Sequence, residues 1–328
     1  MTIRNGMTIL DVAREAGVSR TTASSALSGS GRISEDTRER VREVAERLGF
    51  VANTTARNLR TGRTGAIGIY LEERLLDYSF YMEYMVGIAT EAMQRDYALT
   101  LISGGLPSLN ALAHIDGVII GTPIEGDPMT GKLLTSGLPV VCSERCLDAV
   151  VEPVATIETD YVPAEYELLD HLCEQGARNP ALLSLPVGIS VLRNLVQGYR
   201  DWCKQNGVKP RVLLLDAVGS PEAVVTYTSE LLVKPNRPDA ILAGADDLAL
   251  SVFDAARSVG ADVLIASCVE NNSLRLVTPG ITSIVNPPRD IGRHAASVLL
   301  DVLDGRQVPK TILRPKPQLA LRRSTTRI

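Results

Sequence analysis

Apolar positions along this 328-residue chain follow two different rhythms. From Thr64 onward, short aliphatic runs alternate with longer stretches in which apolar residues recur every three or four positions. The runs fall at 66–71, 98–103, 117–122, 139–143, 181–185, 212–216, 240–244, 263–269 and 281–285 and predict strands. Helix-like stretches fall between most of them, including 80–95, 163–175, 190–206, 221–233, 246–259 and 288–304. Runs without polar alternation belong to strands buried on both faces, so the pattern predicts parallel sheets covered by helices on each side. Nine such runs predict two doubly wound α/β lobes rather than one.

The first sixty or so residues are instead dense in helix starts and stops. Thr8 is placed to cap a short helix with Leu10, Ala13 and Ala16 along one side and Asp11 in its first turn. Gly17 closes that helix, and Ser19 caps a second from about Arg20 to Leu27. The second helix has Ala23, Ala26 and Leu27 to bury. Its other face offers Arg20, Thr21, Thr22, Ser24, Ser25 and Ser28. A helix, a glycine turn and a helix with a polar outer face make a helix-turn-helix unit. After a Gly/Ser loop, Ser34 caps a third helix whose stripe Val41, Val44, Ala45, Leu48 gives the pair a surface to pack on, and Gly49 ends it. The segment 53–60, capped by Asn53, reads as a further helix of about two turns, marginal by itself in water.

Composition changes this picture in one respect. The formal charge is −4, which by itself argues against a nucleic-acid partner. Residues 1–63, however, hold eleven arginines against seven acidic residues, a net of +4, so the remainder carries −8. A small basic head on an acidic body is the asymmetry of a nucleic-acid-binding module fused to something else. No apolar run reaches 18 residues and no secretory signal opens the chain, so neither a membrane span nor export is expected. Five cysteines, an odd number in a chain of this length, predict reduced thiols and a cytoplasmic location.

The motifs in the head are specific. Thr8-Ile-Leu-Asp-Val-Ala-Arg-Glu-Ala-Gly-Val-Ser19, then Thr22-Ala-Ser24, Leu27-Ser-Gly29, Ser34-Glu-Asp-Thr-Arg38 and Arg40-Val41 resemble the lactose/galactose repressor (LacI) family of bacterial transcriptional regulators. So do Leu48-Gly-Phe-Val-Ala-Asn53 and Ala56-Arg-Asn-Leu-Arg60, and the likeness runs almost without gaps over residues 8–65. The resemblance implies a helix-turn-helix domain at 1–52, a hinge helix and linker at 53–63, and an effector-binding and dimerisation domain at 64–328. It places one lobe at about 64–157 and 283–316 and the other at about 158–282 and 317–328, like periplasmic sugar-binding proteins, with a ligand cleft between them. By that pattern the stretch from Ser103 to Asp116 is short, so a helix of the first lobe is expected to be trimmed.

Carried over residue by residue, Arg20 and Thr21 become readers of base edges in the major groove, Arg20 being suited to a bidentate contact with guanine. Thr8, Thr22, Ser24, Arg32 and Thr37 match positions that hold phosphates. Ser25 stands where the family usually has an arginine, and Ser28 where it has an asparagine, which implies a half-site unlike the family norm. Ala56 and Leu59, with Asn53 capping them, match a hinge helix that enters the minor groove, Leu59 as the apolar wedge.

In the body, five of thirteen aromatics lie between Tyr70 and Tyr84, and Phe80 and Tyr81 match an aromatic pair that lines the cleft. Asp160 also matches a cleft position. Other anchors depart from the pattern: Leu195 replaces an arginine, with Arg193 the nearest cation; Ala245-Asp246 replaces Asn-Asp; and Ser267-Cys-Val-Glu270 leaves Val269 at a hydroxyl-binding aspartate, beside Glu270. Buried sugar hydroxyls without partners cost about 1–3 kcal/mol each. These departures therefore imply a less polar or differently anchored ligand than a simple monosaccharide.

No dinucleotide fingerprint, P-loop or nucleophile elbow occurs, so no enzyme activity and no cofactor is expected. Cys142, Cys146, His171 and Cys173 are too thinly spread to favour a metal site. The expected protein is a homodimeric repressor that binds a pseudo-palindromic double-stranded DNA operator, its affinity set by a small-molecule effector in the cleft. With no heptad tail, tetramers are not expected. Two alternatives stand beside it: the same regulator controlled by a protein partner, and a solute-binding protein, which the basic head disfavours.

Overall fold

The computed structural model describes residues 7–27, 31–50, 62–103, 109–185, 188–215, 220–314 and 316–326. It divides into two compact units, Met1–Thr64 and Gly65–Ile328.

The first unit holds α1 (Ile9–Glu15), α2 (Arg20–Leu27) and α3 (Glu35–Arg47). Thr8 and Asp11 form a reciprocal capping box at the start of α1, in which the Asp11 carboxylate accepts from the Thr8 amide at 2.9 Å. The helix ends at Gly17, whose φ of +65° is left-handed. There the Val18 amide donates to the Ala13 carbonyl at 3.0 Å and the Gly17 amide to Arg14 at 3.2 Å. The same pair of bonds recurs after α3 at Gly49, with φ +62°, from Phe50 to Ala45 and from Gly49 to Glu46. Both ends are Schellman motifs, which satisfy carbonyls that a helix would otherwise leave open. The core is Val12, Ala13, Ala16, Ala23, Ala26, Val41, Val44 and Ala45, mostly alanine, so the three helices approach closely. Leu10, expected on the buried side of α1, is instead 54% exposed and Val12 is fully buried. The cap at Thr8 fixes the phase of so short a helix, and that phase turns Leu10 outward.

The second unit contains two six-stranded sheets. The first uses β1 (Ala66–Leu71), β2 (Ala98–Ser103), β3 (Val118–Ile120), β4 (Val140–Cys142), β5 (Ala155–Thr159) and β11 (Thr311–Arg314), in the order β11-β5-β4-β3-β1-β2 and parallel throughout. The second uses β6 (Pro180–Ser184), β7 (Val212–Leu214), β8 (Ala240–Ala243), β9 (Leu264–Ser267), β10 (Thr282–Val285) and β12 (Gln318–Ala320), in the order β12-β10-β9-β8-β6-β7. In that sheet only β12 runs antiparallel to its neighbour. Helices α4 (Ser79–Gln94), α5 (Pro128–Leu134) and α11 (Pro288–Leu303) cover the first sheet. Helices α6 (Val162–Glu174), α7 (Ser190–Gln205), α8 (Pro221–Leu232), α9 (Asp246–Ser258) and α10 (Asn272–Leu276) belong to the second. Each sheet thus has an aliphatic core on both faces, the arrangement that the unbroken apolar runs demanded.

The chain crosses between lobes three times. It leaves the first after β5, returns between β10 and α11, and crosses again between β11 and β12. Strand β10 pairs in the second sheet, so the return falls after Val285 rather than at 283. Among the described residues, the connection from β2 to β3 contains only the 3-10 helix Leu109–His114, in keeping with a trimmed first lobe. No described helix is long and apolar enough to cross a membrane.

Candidate functional site

Two candidate surfaces emerge, one in each unit. In the first unit, α2 is held from behind by Ala23 and Ala26, which are fully buried, while Arg20, Thr21 and Ser24 are exposed. Ser19 caps the helix: the Thr22 amide donates to its Oγ at 3.0 Å, and the hydroxyls of Thr21 and Thr22 lie 2.7 and 2.8 Å from the same oxygen. The start of α2 is therefore an ordered array of one guanidinium and three hydroxyls. Thr37 is held in the same way by Ser34 at the start of α3, with 2.9 Å between hydroxyl oxygens. Thr8 and Arg32 are exposed, the Thr8 hydroxyl donating to Asp11 at 2.6 Å. Ser25 is half-buried against the turn at Gly31, its Cβ lying 3.7 Å from where a side chain there would begin. Ser28, Asn53, Ala56 and Leu59 lie outside the described residues.

In the second unit the candidate site is an open cleft between the two lobes with a volume of about 140 Å³. Its first-lobe wall includes Tyr78, Phe80, Tyr81, Tyr84, Thr122 and Glu144, and its second-lobe wall includes Leu185, Val191, Leu192 and Val269. Eight of the lining positions follow the carboxyl end of a strand: Gly121 and Thr122 after β3, Ser143 and Glu144 after β4, Leu185 after β6, Gly244 and Ala245 after β8, Val269 after β9. That is where open α/β sheets place their ligands. Leu75 and Ile124 meet Ile189 across the lobes in a small apolar seam, and the Glu125 amide donates to the Gly188 carbonyl at 2.8 Å.

Most hydroxyls of the cleft are engaged with one another. Tyr81 Oη and Thr122 Oγ1 are 3.0 Å apart, and Tyr84 bonds Ser143. The Tyr161 hydroxyl accepts from Asn286 Nδ2 at 2.7 Å, and Asn286 Oδ1 accepts from Arg314 at 2.9 Å. The rings of Phe80 and Tyr81 meet edge to face, with centroids 5.2 Å apart. Glu144 is the carboxylate on the wall among the described residues. Burial raises its carboxyl well above the usual range, and the charge of Glu158 adds to the effect.

Of the cleft residues expected from sequence, Phe80, Tyr81 and Val269 line the cavity. Four others lie off its wall. Asp160 is exposed and its Oδ1 accepts from the Val162 amide at 3.2 Å, at the start of α6. Arg193 is exposed and pairs with Glu125 of the opposite lobe. Leu195 is buried in the second lobe, within the cluster of Leu168, Tyr199 and Trp202. It is one helical turn removed from Val191 and Leu192, the residues of α7 that do reach the cavity. Glu270 is turned away into a bidentate pair with Arg322, at 2.8 and 2.9 Å, and also accepts from Ser283. Asp246 opens α9 next to the lining residue Ala245. The sequence reading missed Glu144, Tyr161 and Thr122; Thr122 ends the predicted run 117–122 and Glu144 directly follows the run 139–143, whereas no apolar run precedes Tyr161.

Among the described residues no group of three or more His, Cys, Asp or Glu side chains is placed to hold a metal ion. The five cysteines are all free, and His171 Nε2 lies 2.8 Å from the Thr325 hydroxyl.

Residues 8–53 match the model for bacterial regulatory proteins of the lacI family, and residues 169–325 match that for a periplasmic-binding-protein-like domain. The chain belongs to the lacI family. It is a DNA-binding transcriptional regulator of that family. Catabolite control protein A of Priestia megaterium is 29% identical over 97% of this chain and 99% of its own length. The HTH-type transcriptional regulator CelR of Thermobifida fusca is 27% identical over 98% and 99%. Among solved structures, a CelR–cellobiose complex superposes with a TM-score of 0.71 at 26% identity, over 97% of this chain and 99% of that one. A Lac repressor dimer bound to operator and an anti-inducer gives a TM-score of 0.79 at 21% identity, over 98% and 100%, which attests the fold.

Proposed function

We propose that this lacI-family regulator is a repressor that binds a pseudo-palindromic operator as a homodimer and changes its affinity when a small molecule occupies the interlobe cleft. The observation that carries the reading is the start of α2, where Arg20, Thr21 and Ser24 stand exposed on a helix whose other side is buried in alanines. In this reading Arg20 and Thr21 contact base edges. Thr8, Thr22, Ser24, Arg32 and Thr37 hold phosphates, and Ser25 and Ser28 alter the half-site. Residues 53–63 form the hinge, with Ala56 and Leu59 in the minor groove. A small-molecule effector is favoured over control by a protein partner because the cleft is enclosed on both sides by side chains from two lobes, and the relative CelR has been solved with cellobiose.

Selection of the full-length protein on a random duplex library tests the proposal. The expected product is a palindrome whose half-sites differ from the family norm at the base pair opposite Ser25. Recovery of unrelated sequences, or of the family's usual half-site, would contradict it.

A further inference from the structure

The reading of the cleft as an effector site leaves the ligand's chemistry open, and the wall itself narrows it. The cleft is open on one side, and its volume of about 140 Å³ is close to the ~150 Å³ of apolar protein cavities that take up one benzene molecule. The wall is mainly aromatic and aliphatic, and its hydroxyls on Tyr81, Thr122, Tyr84 and Ser143 are paired with one another. A sugar would bring several hydroxyls to a surface with few partners to offer.

Glu144 is the exception. The Ser190 hydroxyl donates to its Oε2 at 3.5 Å, the limit of a hydrogen bond, and among the described residues no cation forms an ion pair with it. The neighbouring cations are engaged elsewhere. Arg145 is bidentate on Glu158 at 2.7 and 3.1 Å, Arg314 donates to Asn286, and Arg74 at the rim holds Glu72 at 3.0 and 3.1 Å. Aromatic faces with a carboxylate at their edge favour a cation on both counts: the ring quadrupoles attract it, and the carboxylate neutralises it. An anionic ligand would meet Glu144 with no free counter-charge on the wall among the described residues.

We propose that the cleft binds a ligand with one ring-sized hydrocarbon body and a single basic amine, the body resting against Phe80, Tyr81 and Tyr161 and the ammonium group on the Glu144 carboxylate. This rests on the effector-site reading, and its test separates the two. Burial disfavours the charged form of Glu144, and an ammonium group beside it restores that form, so the pair is made only when the ligand carries the cation.

The experiment is isothermal titration of the full-length protein, and of E144Q, with 2-phenylethylamine, 2-phenylethanol, 3-phenylpropanoate and cellobiose at neutral pH. The amine is expected to bind at least about tenfold more tightly than the alcohol, with no measurable binding of the propanoate or cellobiose. In E144Q the amine should fall to the level of the alcohol. The ligand class is overturned if no phenyl compound binds, if the alcohol or the propanoate equals the amine, if cellobiose binds better than the amine, or if E144Q keeps the preference. Operator affinity is then measured with and without saturating amine. Tight amine binding that leaves operator affinity unchanged overturns the effector reading and not the ligand class. A change in operator affinity caused by cellobiose, with no binding of the amine, does the reverse.

Discussion

Two residues carry effects that a single substitution can isolate. Arg20 is exposed at the start of α2, so Arg20→Ala should leave the head folded. Its loss should cost about 1–3 kcal/mol per half-site and flatten discrimination at one base pair, as read by competition between duplexes that differ only there. An equal loss on every sequence would make Arg20 a phosphate contact instead. Glu165 of α6 is fully buried, and both its carboxyl oxygens lack a hydrogen-bond partner among the described residues. Burial alone pushes its carboxyl up to about 9 from an ordinary value of 4.5. The folded state therefore holds a proton that the unfolded chain releases. The contribution of Glu165 to stability is fully present below about pH 4.5 and is lost as pH rises towards 9, by at most about 1.4 kcal/mol per unit. Glu165→Gln removes that titration. Thermal melts at pH 5 and pH 8 should show a smaller drop for the variant than for the parent; equal drops would mean that the carboxyl ionises in place.

At the scale of elements, α4 and α11 pack closely enough to require glycine. A Cβ on Gly292 would lie 2.1 Å from the Tyr84 carbonyl oxygen, and one on Gly87 would lie 2.1 Å from that of Arg289. Gly292→Ala must therefore force the helices apart, at a cost of at least about 1–3 kcal/mol, visible as a lowered melting temperature. Because Tyr84 also lines the cleft, ligand binding should weaken together with stability. Helices of this length were legible in the sequence almost to their ends, since a long amphipathic period leaves little freedom of phase. Short elements were not. Strand β5 reads Ala-Thr-Ile-Glu-Thr and buries Thr156 and Thr159 at 8% exposure each, so no apolar run announced it. Edge strand β11 alternates exposed and half-buried positions, and α5 has seven residues. Leu10 shows the same limit within α1, where one cap outweighs a weak stripe. In the cleft, family position alone led to Leu195 and Glu270, whereas topology led to Glu144 and Tyr161. A side chain one turn along a helix, or one residue past a strand, points elsewhere, and only the fold resolves that difference.

For the whole molecule, the distribution of charge decides how it meets DNA. The total of −4 combines +4 in residues 1–63 with −8 in the remainder, so attraction to a duplex is confined to the smaller part. Binding energy from phosphates must then come from few contacts, each releasing counterions, and the observed constant should fall linearly with salt on logarithmic axes. Arg32 is exposed in the head and matches a phosphate-holding position. Removing it from both subunits of a dimer deletes two phosphate contacts, so Arg32→Ala should make the slope shallower by about two, with little change in the ranking of sequences. Arg200, exposed on α7 of the second lobe, is the matched control. Arg200→Ala makes the body still more acidic, and if the head alone touches phosphate the slope should not change. Equal shallowing by both substitutions would mean that the body contributes phosphate contacts, and that the acidic part of the chain is not held clear of the duplex.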